Sequence, residues 1–190
     1  MKTKLILLFF AAFAIYCVDS CNGTKEAATD KQAPSSDPAT QTQTTSAALS
    51  TGSTTAGVQF AAADTKGQSH NSSEWFGKKP VVLNFWGTWC PPCRREIPDL
   101  IKLYKEYEPK GIEMIGFAVK DVPVKVQMFA NESNMGWVML MANDKVLNDY
   151  DVVNGIPTTI FLDRNGKEVT RFIGAQDYST FKPAFDAILK

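Results

Sequence analysis

The stretch "PVVLNFW", residues 80–86, constrains this chain more than any other. It is apolar throughout except for Asn84, and alternation is absent. Such a run reads as a strand buried on both faces, with a layer of structure above and below it. Four residues later helical spacing begins: Ile97, Leu100, Ile101, Tyr104 and Tyr107 fall on one face of a helix spanning about Cys90 to Glu108. Pro98 lies inside it and predicts a kink. "GIEMIGFAV" (111–119) predicts a second buried strand and "VKVQMFANES" a second helix. "WVMLM" predicts a short extended piece and "VLNDYDV" a short helix. "TTIFLD" and "KEVTRFIG" flank Arg164-Asn165-Gly166, and Asn-Gly is the strongest short hairpin signal. "YSTFKPAFDAIL" closes the chain as a helix whose start is blurred by Pro183. Upstream, "VQFAAADTKGQ" has strand-like content ending in a Lys66-Gly67 turn. One α/β domain with a mixed central sheet flanked by helices follows, with Phe85, Phe117, Phe161 and Trp86 in its core.

That domain is expected over residues 57–190, because the first 56 residues have a different character. "MKTKLILLFFAAFAIYCVDSC" has Lys2 and Lys4 before an uncharged run from Leu5 to Val18. As a helix that run would reach roughly 21 Å, short of a bilayer core of about 30 Å, so it reads as a signal h-region. "VDSC" resembles the lipobox of bacterial lipoproteins, with Cys21 as the lipid acceptor; Asp19 departs from the small or apolar residue usual at that place. Residues 1–21 are thus a targeting segment that puts the domain outside the cytoplasm, on a membrane through Cys21, or secreted after simple cleavage. Residues 22–56 hold one large apolar residue, Leu49, which cannot offset the entropy of ordering. They read as a flexible linker with an r.m.s. reach of roughly 30–35 Å. The 20 basic and 20 acidic residues of the whole chain cancel, and 16 of each remain from residue 57 onward. Bulk charge therefore selects no nucleic acid and no other partner.

"WCPPC" holds two of the four cysteines. A structural zinc site wants four Cys or His ligands in paired spacings; the other two cysteines, Cys17 and Cys21, lie in the targeting segment, and His70 is the only histidine. A c-type haem needs histidine directly after the second cysteine, and Arg94 stands there. A permanent staple would close too small a loop to contribute much. What remains is redox chemistry without metal or other cofactor. Cys90 falls at the start of a helix, where the dipole and free N–H groups favour a thiolate. It is the expected exposed nucleophile, forming a mixed disulfide that Cys93, one turn further in, resolves. The two prolines remove N–H donors while Arg94 and Arg95 add positive charge, so the residues themselves leave the thiolate's stability open. Glu96 suits the helix dipole and is expected to face solvent. Trp89 is expected at the recognition surface beside Pro91 and Pro92, and His70 in a Ser/Asn-rich loop.

Taken together, "VVLNFWGTWCPPC", Pro98 five positions after Cys93, and "GIPTT" before a strand resemble the thioredoxin superfamily, and within it the membrane-tethered TlpA/ResA-like thiol-disulfide oxidoreductases. The resemblance covers about residues 57–190. It implies that Pro157 is cis and faces the Cys90/Cys93 pair, and that the backbone of Ile156 pairs with an extended partner segment. It also implies an inserted strand and helix between the CxxC helix and the Pro157 loop. Sixty-four positions separate Cys93 from Pro157, too few for the helical domain of DsbA-type oxidants, which argues for a reductant. The implied partners are disulfide-bearing proteins, apocytochromes c among them, and an upstream membrane thiol-disulfide electron donor. Oxidant or isomerase action by the same cysteines, and a redox-inert binding module, are the alternatives. Thioredoxins proper carry a buried Asp where this chain has Asn84, which cannot accept a thiol proton. The family's pattern of an acid after the next strand lands on Asp121, the expected proton acceptor for Cys93.

Overall fold

The computed structural model describes residues 57–190; the expectations for Cys21, the targeting segment and the linker lie outside them. Strand β3 (Val81–Trp86) is buried at every position, because it has a neighbour on each edge and a layer on each face. It pairs in parallel with β4 (Glu113–Ala118) and antiparallel with β6 (Thr158–Leu162). β5 (Val138–Met141) extends the sheet beyond β4, and β7 (Glu168–Ile173) beyond β6. The five-stranded order is β5-β4-β3-β6-β7, a mixed sheet as expected.

The strands sort their side chains by parity. Val82, Trp86, Met114, Ala118 and Phe161 face helices α1 (Pro91–Tyr107) and α4 (Tyr178–Ile188) and the Val126–Ala130 stripe of α2 (Pro123–Ser133). Val81, Leu83, Phe85, Ile115, Phe117 and Ile160 face the other layer. That second layer is thinner: it holds Val146 of α3 (Asp144–Asp149), Tyr150, Phe60 and Trp75. Asn84 shares its parity with Val82 and Trp86, so the one polar residue of β3 points toward α1.

Helix α1 is built by its sequence at both ends of scale. Pro91 and Pro92 occupy its first two positions, where no backbone N–H is needed. Ile97, Leu100 and Leu103 are fully buried, each contributing about 1.5–3 kcal/mol of burial. Pro98 falls on the exposed side and the helix continues through it. Likewise α4 runs through Pro183, its start set by Asp177, whose carboxylate accepts the Thr180 N–H at 2.9 Å.

A short hairpin, β1 (Ala61–Ala63) and β2 (Ser69–Asn71), precedes the sheet. The first strand and turn match expectation, but the loop placement of His70 does not. His70 sits in β2 opposite Ala62, its Nδ1 2.9 Å from Glu74 and its Nε2 3.8 Å from Asp64. Ser-His-Asn lacks the apolar alternation that marks a strand; Asp64 makes the turn by accepting the Lys66 and Gln68 N–H groups.

Candidate active site

The chain leaves β3 at Trp86 and reaches α1 through Gly87, Thr88 and Trp89. The segment after β4 clamps this loop. The Val119 N–H bonds the Trp86 carbonyl, and the Val119 carbonyl accepts the Trp89 indole N–H at 3.1 Å. Asp121 takes the Thr88 N–H at 2.6 Å and its hydroxyl at 3.1 Å, and the Val122 N–H at 2.8 Å. The ring of Trp89 lies over Gly87, where a Cβ would meet it at 2.8 Å, yet it stays 56% exposed.

Cys90 caps α1 and forms a disulfide with Cys93. Its sulfur accepts the Cys93 N–H at 3.3 Å, so a helix-start donor already points at the atom that would carry thiolate charge. It lies 3.9 Å from the Ile156 carbonyl oxygen. The expectation of an exposed Cys90 needs correcting: it is 3% exposed, because in the closed disulfide the sulfur turns inward toward Cys93 and beneath Ile156. The Ile156-Pro157 peptide is cis. Pro157 is buried, Ile156 half-buried, and neither backbone polar group of Ile156 bonds another backbone group among the described residues. Pro91 is exposed and Pro92 half-buried. The fold thus brings Trp89, Cys90, Pro91, Pro92, Cys93, Ile156 and Pro157 to one place.

Glu96 is the residue that sequence reasoning misplaced. It is 2% exposed, because positions 93, 96, 97 and 100 share the face of α1 that packs on the sheet. Its Oε1 accepts the Asn84 Nδ2–H at 2.9 Å, and its Oε2 the Gln176 N–H at 3.3 Å. Asn84 Nδ2 also donates to Thr159 Oγ1 at 2.9 Å, leaving Asn84 Oδ1 buried without a partner. Desolvation outweighs the two hydrogen bonds and raises the Glu96 pKa to about 7. An (i, i+3) pair on a helix has Cβ atoms about 5–6 Å apart, so a carboxyl able to titrate near neutrality lies one turn behind Cys93. No hydrogen bond joins Asp121 to Cys93 among the described residues; its oxygens are taken by Thr88 and Val122. The signal that could have located Glu96 is the pair Asn84 and Glu96: a polar residue in a buried strand requires a polar partner from the facing helix.

The AhpC/TSA family pattern matches residues 54–169. The chain belongs to the AhpC/TSA family. Within this thioredoxin-fold family it is a thiol-disulfide oxidoreductase of ResA type. It is 34% identical over 142 residues to the thiol-disulfide oxidoreductase ResA of Geobacillus thermodenitrificans, covering 74% of this chain and 79% of that protein. A thioredoxin-family thiol:disulfide interchange protein from Chlorobium tepidum superposes with a TM-score of 0.64 at 25% identity, over 71% of this chain and 96% of its own. A secreted Mycobacterium tuberculosis disulfide oxidoreductase, homologous to E. coli DsbE, superposes at 0.61 with 25% identity, over 68% and 96%. The family membership agrees with the Cys90–Cys93 disulfide at the helix start.

Proposed function

We propose that this AhpC/TSA-family protein reduces protein disulfides outside the cytoplasm, with Cys90 as nucleophile, Cys93 as resolving thiol and Glu96 as acceptor of the Cys93 proton. The carrying observation is the buried Glu96 carboxyl one turn behind Cys93, on the face of α1 that the disulfide shares. The Cys90 thiolate attacks a substrate disulfide and forms a mixed disulfide, releasing one substrate thiolate. Cys93 loses its proton, attacks the Cys90 sulfur and releases the second, so two electrons pass to the substrate and the Cys90–Cys93 bond re-forms. Cys93 is fully buried and a thiol there does not ionise without help. A neighbouring carboxyl with a pKa of about 7 matches the proton-transfer task near neutral pH. Asp121 is assigned a different part, holding the Thr88–Trp89 loop against the strand that follows.

The direction rests on the same carboxyl. Negative charge behind Cys93 disfavours thiolate, and strong oxidants are those whose reduced thiolate form is stabilised. Arg94 and Arg95 act the other way, but both are exposed and screened. The redox potential should therefore fall near the thioredoxin value of about −270 mV and far from the roughly −120 mV of a strong oxidant; a value near the latter overturns the direction. A Cys93→Ala variant should retain partners as mixed disulfides on Cys90, with apocytochromes c the first class to examine. Equal trapping by Cys90→Ala would reverse the two roles. Extracytoplasmic placement through a lipid on Cys21 and a spacer over residues 22–56 is supported by the lipobox-like "VDSC" and by the secreted relative. Labelling with radioactive palmitate, lost in Cys21→Ala, tests it.

A further inference from the structure

The net charge of the chain is zero, yet its charges are unevenly placed around the disulfide. Arg94 and Arg95, directly after Cys93, are exposed and make no ion pair with a carboxylate among the described residues. With Pro91 and Phe129 they line a shallow depression on one side of the active-site loop. The Arg94 guanidinium sits 5.6 Å over the Phe129 ring, which holds it in place without neutralising it. On the other side, beyond Trp89, a cup of about 680 Å³ opens between the loop and α3. Trp89, Val119, Leu147, Val152, Val153 and Ile156 give it an apolar side, with Asn148 polar among them, and Val153 is 68% exposed. Lys120 and Asp144 also line it. Lys120 is held there by a left-handed backbone, φ 47°, between the two residues that clamp the Trp89 loop. The Asp121 carboxylate is already occupied by Thr88 and Val122.

We propose that these two surfaces read the residues flanking the substrate cysteine: an apolar side chain enters the cup while acidic side chains meet Arg94 and Arg95. The occupant is an extended, acidic protein segment bearing the disulfide. The charge at this mouth is positive on balance, since Lys120, Arg94 and Arg95, which make no ion pair among the described residues, stand against two carboxylates, Asp144 and the Asp121 that hydrogen-bonds Thr88 and Val122. The cup is continuous with the Ile156 backbone, which bonds no other backbone group among the described residues, so a segment lying along Ile156 places its cysteine at Cys90 and its neighbour over Trp89 and Val153. This specificity rests on the reducing reaction proposed above.

The full chain, kept reduced with dithiothreitol and then desalted, tests this in stopped flow. The probes are four peptides, each holding one cysteine as a disulfide with 2-mercaptoethanol. They carry Leu or Gly on one side of the cysteine and Glu-Glu or Lys-Lys on the other. Bis(2-hydroxyethyl) disulfide, small and neutral, measures the exchange itself. The Leu/Glu-Glu peptide should react on the order of 10-fold faster than Leu/Lys-Lys at low salt, the gap closing at 1 M NaCl. Leu should exceed Gly several-fold. With each variant's peptide rates divided by its own rate on the small disulfide, Arg94→Glu with Arg95→Glu should reverse the charge preference, and Val153→Asp should erase the Leu preference. Equal rates on all four peptides, or an acidic preference surviving the double arginine variant, overturn the recognition. Failure on the small disulfide as well would instead sink the reducing reaction.

Discussion

Glu96 and Glu106 lie ten positions apart on the same helix, and the fold drives them to opposite extremes. Glu96 faces the sheet, where lost hydration outweighs its bonds to Asn84 and Gln176 and lifts its pKa to about 7. Glu106 faces water, where the Tyr178 hydroxyl and the Lys110 ammonium hydrogen-bond it, with Lys182 nearby, and lower its pKa to about 2. Helix position alone does not set a carboxyl's chemistry. What decides is whether partners or burial dominate, and here that follows from which face of α1 each residue occupies. The signs of their effects on stability are therefore opposite. Glu96 holds its proton more tightly in the folded chain, so its contribution is fully favourable below its unfolded value of 4.5 and is lost as pH rises through about 7. The loss amounts to about 3 kcal/mol. Glu106 contributes above its unfolded value and loses that contribution as pH falls toward about 2.

The hardest test of this contrast is Glu96→Gln. Single-turnover reduction of a peptide disulfide should slow by on the order of 100-fold in the resolving step, and its pH dependence around 7 should flatten. The same variant should unfold in urea with nearly pH-independent stability between pH 5 and 8, where the parent weakens. A normal pH profile in this variant breaks the assignment. Leu100→Ala, on the same buried face, should cost about 2–5 kcal/mol in urea unfolding but leave the rate's pH midpoint in place. A shifted midpoint there would mean that packing, and not the carboxyl, sets the profile. Asn84→Ala removes a hydrogen bond that favours the ionised form, so the Glu96 midpoint should move upward and the rate at pH 7 fall several-fold. Asp121→Asn should leave the profile's midpoint unchanged while lowering the rate modestly through a looser Thr88 loop; a displaced midpoint would return the proton-acceptor role to Asp121. Glu106→Gln should be the quietest, altering neither rate nor midpoint and affecting only the acid limb of a stability-versus-pH curve.

The residues 80–107 show why some features were readable and others not. An unbroken apolar run can be buried only inside a sheet, so β3 and its two layers were legible in Val81–Trp86. The helix was legible in its 3.6-residue spacing, and the redox pair in Cys90 and Cys93, because a helix start and a two-residue gap are local facts. Asn165-Gly166 fixed the β6–β7 hairpin in the same local way, whereas Ser-His-Asn concealed β2 because its pairing with Ala61–Ala63 supplies the order that its side chains do not advertise.

The sequence by itself determined the elements and the chemistry of the two thiols, since both depend on neighbours along the chain. Only the tertiary structure decided the surroundings of those thiols. Glu96 looked like a solvated first-turn acid until the sheet covered it, and Cys90 looked exposed until the Ile156 segment, 66 residues away, folded over its sulfur. Asp121 was in the right region but turned its oxygens to the Thr88 loop. Desolvation and hydrogen bonding across long sequence separations set the pKa and accessibility of such groups, and no local pattern encodes either.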